Sequence, residues 1–153
     1  ILIIPAKFNN EYIKKIYGDI SGFTISKNTH EALKDSEYAF ICSGTATLET
    51  ALFNVPEVVC YKGSYLSYQI GKRLISIKYI SLVKLILDKL VVTELIQTDF
   101  TVDALRNELQ NLLTDENKKQ QIQKDYTGLH QLLSQGGNAS QKAAFSIINF
   151  LCK

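Results

Sequence analysis

The residues best suited to chemistry lie in one short polar run, residues 43–49 (SGTATLE), which directly follows an apolar stretch. Gly44 permits a close approach of the backbone to a ligand or a positive φ angle. The residues after it are predicted to begin a helix, whose free N–H groups and positive dipole end attract an anion such as a diphosphate. Hydroxyl groups on Ser43, Thr45 and Thr47 add hydrogen-bond donors in the same turn. The run therefore predicts an anion site.

A carboxylate completes this run. Glu49 lies four residues after Thr45, so the two side chains share one face of the predicted helix. In that place a carboxylate can accept hydrogen bonds from both hydroxyls of a ribose diol. Ordinary helix capping is the alternative, with Ser43 and Thr45 as caps and Glu49 as a solvated acid of the first turn. Spacing alone leaves both interpretations open, since the run matches neither a Walker loop nor GxGxxG.

Alternating strands and helices are predicted around this run. The predicted strands cover residues 1–4, 22–26, 38–42, 57–61 and 78–82, and the third is apolar throughout, which is typical of a central parallel strand. One predicted helix follows a cap at Asn10, a short one over 31–35 has Thr29 as its cap, and a third begins at Thr45. A further helix is predicted over 65–75, and a short helix and a loop within 85–97. Such dense alternation indicates an α/β fold with a doubly wound parallel sheet and helices on both faces. Ligands bind such sheets beyond the carboxyl ends of the strands, where residues 43–49 follow the third strand.

A helical tail is predicted after this core. Its helices cover about 101–113, 115–133 and 139–151, with Thr101 and either Asp115 or Asn117 as N-caps. We expect residues 1–100 to form the core and 101–153 a helical tail of the same domain. A length of 153 residues with 46% hydrophobic composition fits one domain of this kind.

Composition excludes several function classes. A net charge of +2 is too small for a nucleic-acid-binding protein. The apolar runs are shorter than the roughly 20 residues that cross a bilayer, and no signal peptide is visible. The three cysteines show no CxxC spacing and are expected to be reduced and buried, without a metal. The chain contains no methionine and begins inside an apolar run, so we expect it to be a piece of a longer protein.

Several sequence blocks in one order resemble the C-terminal domain of the lipid-A-disaccharide synthases. These blocks are residues 43–49, Ala51-Leu52-Phe53, Val55-Pro56, Val58-Val59, Tyr61-Lys62, Lys72-Arg73-Leu74, residues 78–82 and residues 94–97. The resemblance implies the Rossmann-like, donor-binding half of a GT-B glycosyltransferase, with the N-terminal acceptor domain absent from this chain. The family transfers the sugar of UDP-2,3-diacylglucosamine onto lipid X, which forms lipid A disaccharide 1-phosphate and releases UDP.

Roles for single residues follow from the same resemblance. The residues implied for the UDP diphosphate are Ser43, Gly44, Thr45, Ala46 and Thr47. Glu49 is implied for the ribose, and a flanking role beside the uracil is implied for the loop of Ser26, Lys27, Asn28 and Thr29. No catalytic residue, cofactor or metal is expected in this chain. We expect a cytoplasmic protein that contacts the lipids of the inner membrane peripherally. A homodimer is the expected assembly.

Two positions depart from the family pattern. Lys84 stands where the family usually has asparagine, and Leu90 stands where it usually has glutamate. An asparagine amide both donates and accepts hydrogen bonds, whereas a lysine only donates and is charged. If the family asparagine positions substrate, Lys84 is expected to impair the activity of this version of the enzyme.

Other features leave alternatives open. A basic and aromatic cluster predicts either contact with anionic lipid or an ordinary solvated helix face; it comprises Tyr61, Lys62, Tyr65, Tyr68, Lys72, Arg73, Lys78 and Tyr79. His30 and His130 show no spacing to a carboxylate or metal ligand, which indicates surface or capping roles. The competing functions are a UDP-sugar 2-epimerase-like enzyme and a non-catalytic module that binds membranes or proteins.

Overall fold

The computed structural model describes residues 2–3, 10–19, 21–64, 68 and 78–151. Nearly all of the helix predicted over 65–75 lies outside these residues, as does Cys152. Within the described residues the strands are β1 (Leu2–Ile3), β2 (Ile25–Ser26), β3 (Ala39–Cys42), β4 (Glu57–Tyr61) and β5 (Thr93–Ile96). The helices are α1 (Asn10–Tyr17), α2 (Thr29–Lys34), α3 (Thr45–Leu52), α4 (Leu82–Leu87), α5 (Val102–Thr114), α6 (Glu116–Gln135) and α7 (Ala139–Leu151).

All the pairings between these strands are parallel. β1 pairs with β2, while β3, β4 and β5 form a three-stranded sheet in sequence order. Cys42 lies opposite Cys60, and Cys60 lies opposite Leu95, so the carboxyl ends of the three strands meet at one edge. The predicted α/β fold with a parallel, Rossmann-like sheet is confirmed.

The centre of the sheet is β4 rather than β3. Residues 57–60 of β4 are all buried, whereas Phe40 and Cys42 of β3 are exposed. The apolar sequence of β3 had indicated a central strand, and Cys42 had been expected to be buried. Both expectations were wrong, because β3 has a neighbour in the three-stranded sheet on one side only.

Side-chain caps fix the beginnings of several helices. Asn28 accepts hydrogen bonds from the N–H groups of His30 and Glu31, so it caps α2 in place of the predicted Thr29. Thr101 caps α5 as predicted. Of the two candidates for α6, Asp115 is the cap. Because each cap satisfies N–H groups that lack intrahelical partners, these short polar residues set where the helices start.

Residues 78–97 differ most from the prediction. The strand predicted over 78–82 is absent from the described residues, since Ser81 caps α4 and Leu82 begins it. The predicted loop before residue 97 contains β5 instead. Buried apolar residues lie before and within β5, among them Val92 and Leu95. β5 has only four residues, two polar residues followed by two apolar ones, and this order shows no period of two that would have predicted a strand.

The core lies between the three-stranded sheet and the helices that pack on it. Tyr126 and Leu129 of α6 are fully buried and belong to the same cluster as Val58 and Val59 of β4. The tail helices α5 and α6 therefore pack on the sheet. In contrast, every residue of α7 is exposed. No helix in the described part of the chain is long and apolar enough to cross a membrane.

Candidate functional site

The turn between β3 and α3 has the geometry of an anion site. Gly44 has φ 138° and ψ −157°, a conformation that residues with a side chain rarely adopt. It occupies the N-cap position, and no side chain caps α3 there. Within the described residues, the N–H groups of Thr45 and Ala46 have no hydrogen-bond acceptor. The capping alternative therefore does not describe this turn, whose N–H groups at the start of α3 remain open.

Two of the three hydroxyl groups in the turn are engaged inside the protein. The Ser43 hydroxyl donates to the carbonyl oxygen of Ile80 at 2.9 Å. The Thr47 hydroxyl donates to the carbonyl oxygen of Gly44 at 2.8 Å and accepts from the N–H of Leu82 at 3.2 Å. Thr47 is fully buried. Both hydroxyls hold the turn in place, which leaves the exposed Thr45 as the hydroxyl open to a ligand.

Glu49 forms a contact that the sequence did not indicate. Its Oε1 lies 2.7 Å from Nε2 of His30, whose ring packs against Phe53 with the ring centroids 5.2 Å apart. His30 lies at the surface, as predicted, and its pair with Glu49 joins α2 to α3 across 19 positions of sequence. Within the described part of the chain Oε2 of Glu49 has no partner. One carboxylate oxygen is thus engaged and the other is open.

The loop before α2 is folded on itself. The Ser26 hydroxyl accepts from the N–H of Asn28 at 3.1 Å and donates to its carbonyl oxygen at 3.0 Å. Lys27 is exposed, and Thr29 is the first residue of α2. Through His30, the next residue of α2, this loop is linked to Glu49. The structure therefore brings the loop of residues 26–29 toward the carboxylate end of the candidate site.

A buried ion pair lies beside the turn and was missed by sequence reasoning. Nζ of Lys84 is 3.2 Å from Oε2 of Glu94, and both side chains are only 6% exposed. The same ammonium group lies 4.7 Å from the ring centroid of Tyr79. The sequence marks Lys84 only as a departure from the family pattern, and Glu94 only as part of a block that resembles the family. Ten positions of sequence separate them, and no local pattern links them.

Two further titratable groups are buried away from the turn. Glu57 begins β4, at the amino ends of the strands, and burial raises the pKa of its carboxyl to about 9. Burial also raises the pKa of the Tyr126 hydroxyl well above its ordinary value. Burial raises the pKa of the Cys60 thiol to about 11, so this thiol stays protonated and packs as a small apolar group, as predicted. These groups belong to the core.

The parallel sheet, with helices packed on it and a glycine turn at its carboxyl edge, defines a Rossmann-like α/β domain. Comparison with known proteins goes further. Residues 2–148 match the family model described as lipid-A-disaccharide synthetase. The chain belongs to the lipid-A-disaccharide synthase family.

Individual relatives agree with this assignment. The lipid-A-disaccharide synthase of Hahella chejuensis is 40% identical over 129 residues, and that of Methylobacillus flagellatus is 34% identical over 124 residues. These alignments cover 84% and 81% of this chain, and 32% of each relative. The Campylobacter jejuni protein of the same name is 46% identical over 88 residues, which are 58% of this chain and 24% of the relative. The chain thus spans about a third of the length of its longer matches.

Proposed function

We propose that this chain is the donor-binding domain of a lipid-A-disaccharide synthase and that it holds the UDP part of UDP-2,3-diacylglucosamine. The turn at Gly44 is the observation that carries this proposal. It places the open N–H groups of Thr45 and Ala46 at the carboxyl edge of a parallel sheet. Backbone donors and a helix dipole at such an edge are suited to a diphosphate.

Each side chain in the turn then has a distinct role. The N–H groups of Thr45 and Ala46, with the Thr45 hydroxyl, bind diphosphate oxygens, while Ser43 and Thr47 hold the turn from inside. The open Oε2 of Glu49 accepts a ribose hydroxyl. As the bond to the sugar breaks, negative charge develops on the departing UDP, and the same N–H groups and dipole stabilise it.

The remaining parts of the reaction are assigned to the rest of the protein. In this proposal lipid X and the general base are held by an acceptor domain outside this chain, and the whole protein is a glycosyltransferase. The loop of residues 26–29 flanks the uracil. Because both substrates carry acyl chains, we also propose a cytoplasmic protein at the inner face of the inner membrane. We further propose that it pairs into a homodimer.

One observation favours a second function, a module that binds membranes or proteins. The last helix, α7, exposes large apolar side chains, including Phe145 at 67% and Phe150 at 82%. Exposed apolar surface of this kind is typical of contact with another protein or a lipid surface. A chain that binds lipid vesicles but no UDP would have this second function alone.

Calorimetric titration with UDP tests the donor site. Glu49→Gln is expected to weaken UDP binding by about 1.5–3 kcal/mol, because an uncharged amide is a poorer acceptor for a ribose hydroxyl than a carboxylate. Glu116→Gln is the matched control, since Glu116 is an exposed acid on α6. Equal UDP affinity of wild type and Glu49→Gln would remove Glu49 from the site.

A further inference from the structure

The candidate site is joined to a segment that has no regular secondary structure. Residues 79–81 lead directly into α4, and residues 80–82 contact the turn in two ways. The carbonyl oxygen of Ile80 accepts the Ser43 hydroxyl, and the N–H of Leu82, the first residue of α4, donates to the Thr47 hydroxyl. The placement of both hydroxyls, and with them the beginning of α3, therefore depends on where this segment lies.

Glu94 holds that segment. Its Oε1 accepts hydrogen bonds from the N–H groups of Ile80 at 3.1 Å and Ser81 at 2.8 Å. A segment outside helices and sheets needs other acceptors for its N–H groups, and a buried N–H without one costs about 1–3 kcal/mol. A single carboxylate oxygen of Glu94 serves both N–H groups from β5, the edge strand on the far side of β4.

Lys84 makes a carboxylate possible at this buried position. An isolated buried charge is strongly unfavourable, and it is tolerated when it is paired and hydrogen-bonded. Lys84 provides the counter-charge at 3.2 Å and packs on the ring of Tyr79, which begins the segment. Since the Lys84 side chain is 6% exposed and already paired, it is engaged within the protein rather than presented to a phosphate.

We infer that Glu94 is a positioning residue for the diphosphate site, with Lys84 as its counter-ion. The carboxylate fixes residues 80 and 81, the Ile80 carbonyl oxygen and the N–H of the adjoining Leu82 then hold Ser43 and Thr47, and the turn presents the N–H groups of Thr45 and Ala46 to the ligand. Glu94 acts through the backbone and does not touch the donor. This inference rests on the proposed function, because it concerns how the UDP site is held.

Two double variants separate the acceptor role of Glu94 from its charge. Lys84→Met with Glu94→Gln removes both charges but keeps a carbonyl oxygen for the two N–H groups. Lys84→Met with Glu94→Leu also removes both charges and leaves no acceptor. Removing both members of a buried ion pair together avoids leaving one buried charge without a partner, which is the strongly destabilising change. Glu108→Gln is the control, because Glu108 pairs with Lys118 and Thr93 instead of the turn.

UDP affinity is measured by calorimetry on each variant after circular dichroism has shown that it is folded. The Gln double variant is expected to keep UDP affinity within roughly threefold of wild type, whereas the Leu double variant loses roughly tenfold, the equivalent of one buried hydrogen bond. Should the Leu variant fail to fold, Glu94→Asp serves instead. This variant keeps the charge but moves the carboxylate one methylene away from the N–H groups of Ile80 and Ser81. The same tenfold loss of UDP affinity is expected.

The outcomes distinguish this inference from the proposed function. Equal UDP affinity of the Leu and Gln double variants, or of Glu94→Asp and wild type, would overturn the positioning role while the donor site stands. A wild-type chain that does not bind UDP would overturn both. A tenfold loss confined to the variants without a well-placed acceptor, with Glu108→Gln unchanged, would establish the positioning role.

Discussion

The buried carboxyl of Glu57 makes the stability of this protein depend on pH. Glu57 is 1% exposed, and within the described residues neither of its oxygens has a hydrogen-bond partner. Burial raises the pKa of its carboxyl from 4.5 to about 9, so the group is protonated in the folded protein at pH 7. In the unfolded chain the same carboxyl is ionised at this pH. Folding at pH 7 therefore requires uptake of a proton.

The size of the effect follows from the two pKa values. The folded state binds the proton more tightly, so Glu57 contributes its full stability below pH 4.5 and loses it as the pH rises toward about 9. Each pH unit in this window costs about 1.4 kcal/mol, which makes about 3 kcal/mol at pH 7. Glu57→Gln removes this dependence. The amide has its own N–H groups to bury, so we expect a net gain of about 2 kcal/mol at pH 7.

Urea denaturation followed by circular dichroism measures this effect. The free energies of unfolding of wild type and Glu57→Gln are compared at pH 5, 7 and 8, with Glu116→Gln as an exposed control. The advantage of Glu57→Gln over wild type is expected to grow by about 1.4 kcal/mol per pH unit over this range. An advantage that does not change between pH 5 and pH 8 would refute the reasoning, because it would place the folded-state pKa near its ordinary value.

Three substitutions test other parts of the structure. Gly44→Ala is expected to lower the free energy of unfolding by about 1–2 kcal/mol in urea denaturation, because φ 138° strains any residue with a side chain; an unchanged value would contradict this backbone geometry. His30→Ala is expected to cost less than about 1 kcal/mol in the same assay, because its pair with Glu49 is exposed, and a loss above 2 kcal/mol would show that the pair is structural. Leu129→Ala is expected to cost about 2–5 kcal/mol, and a smaller loss would show that α6 does not pack on the sheet.

Elements bounded by strong local signals were predictable from the sequence. Both bounds of β4 agree with the prediction, because Pro56 ends the preceding turn and an apolar run follows. The bounds of α7 also agree, because Gly136 and Gly137 separate it from α6. In the candidate site, the position of Gly44 between a strand and a helix was predictable in the same way, because the glycine directly separates an apolar run from a helical pattern.

Features set by tertiary contacts were not predictable. No glycine or proline separates α4 from β5, and the break falls at Asp88, which adopts φ 45° without being glycine. The sequence likewise assigned the hydroxyls of Ser43 and Thr47 to a ligand, whereas the fold brings residues 80–82 close enough to engage them. The pairs of His30 with Glu49 and of Lys84 with Glu94 join different elements, and no local period links their members.

A titration of the isotope-labelled chain with UDP, followed by the amide resonances in NMR spectra, tests the central claim most directly. The donor-site proposal predicts saturable shifts that are largest at Thr45 and Ala46 and extend to Glu49 and the loop of residues 26–29. Titration with inorganic phosphate is expected to shift the amides of Thr45 and Ala46 without shifting that loop. Shifts centred on other surfaces, such as α7, or no saturable shift with UDP, would contradict the claim that this turn holds the donor.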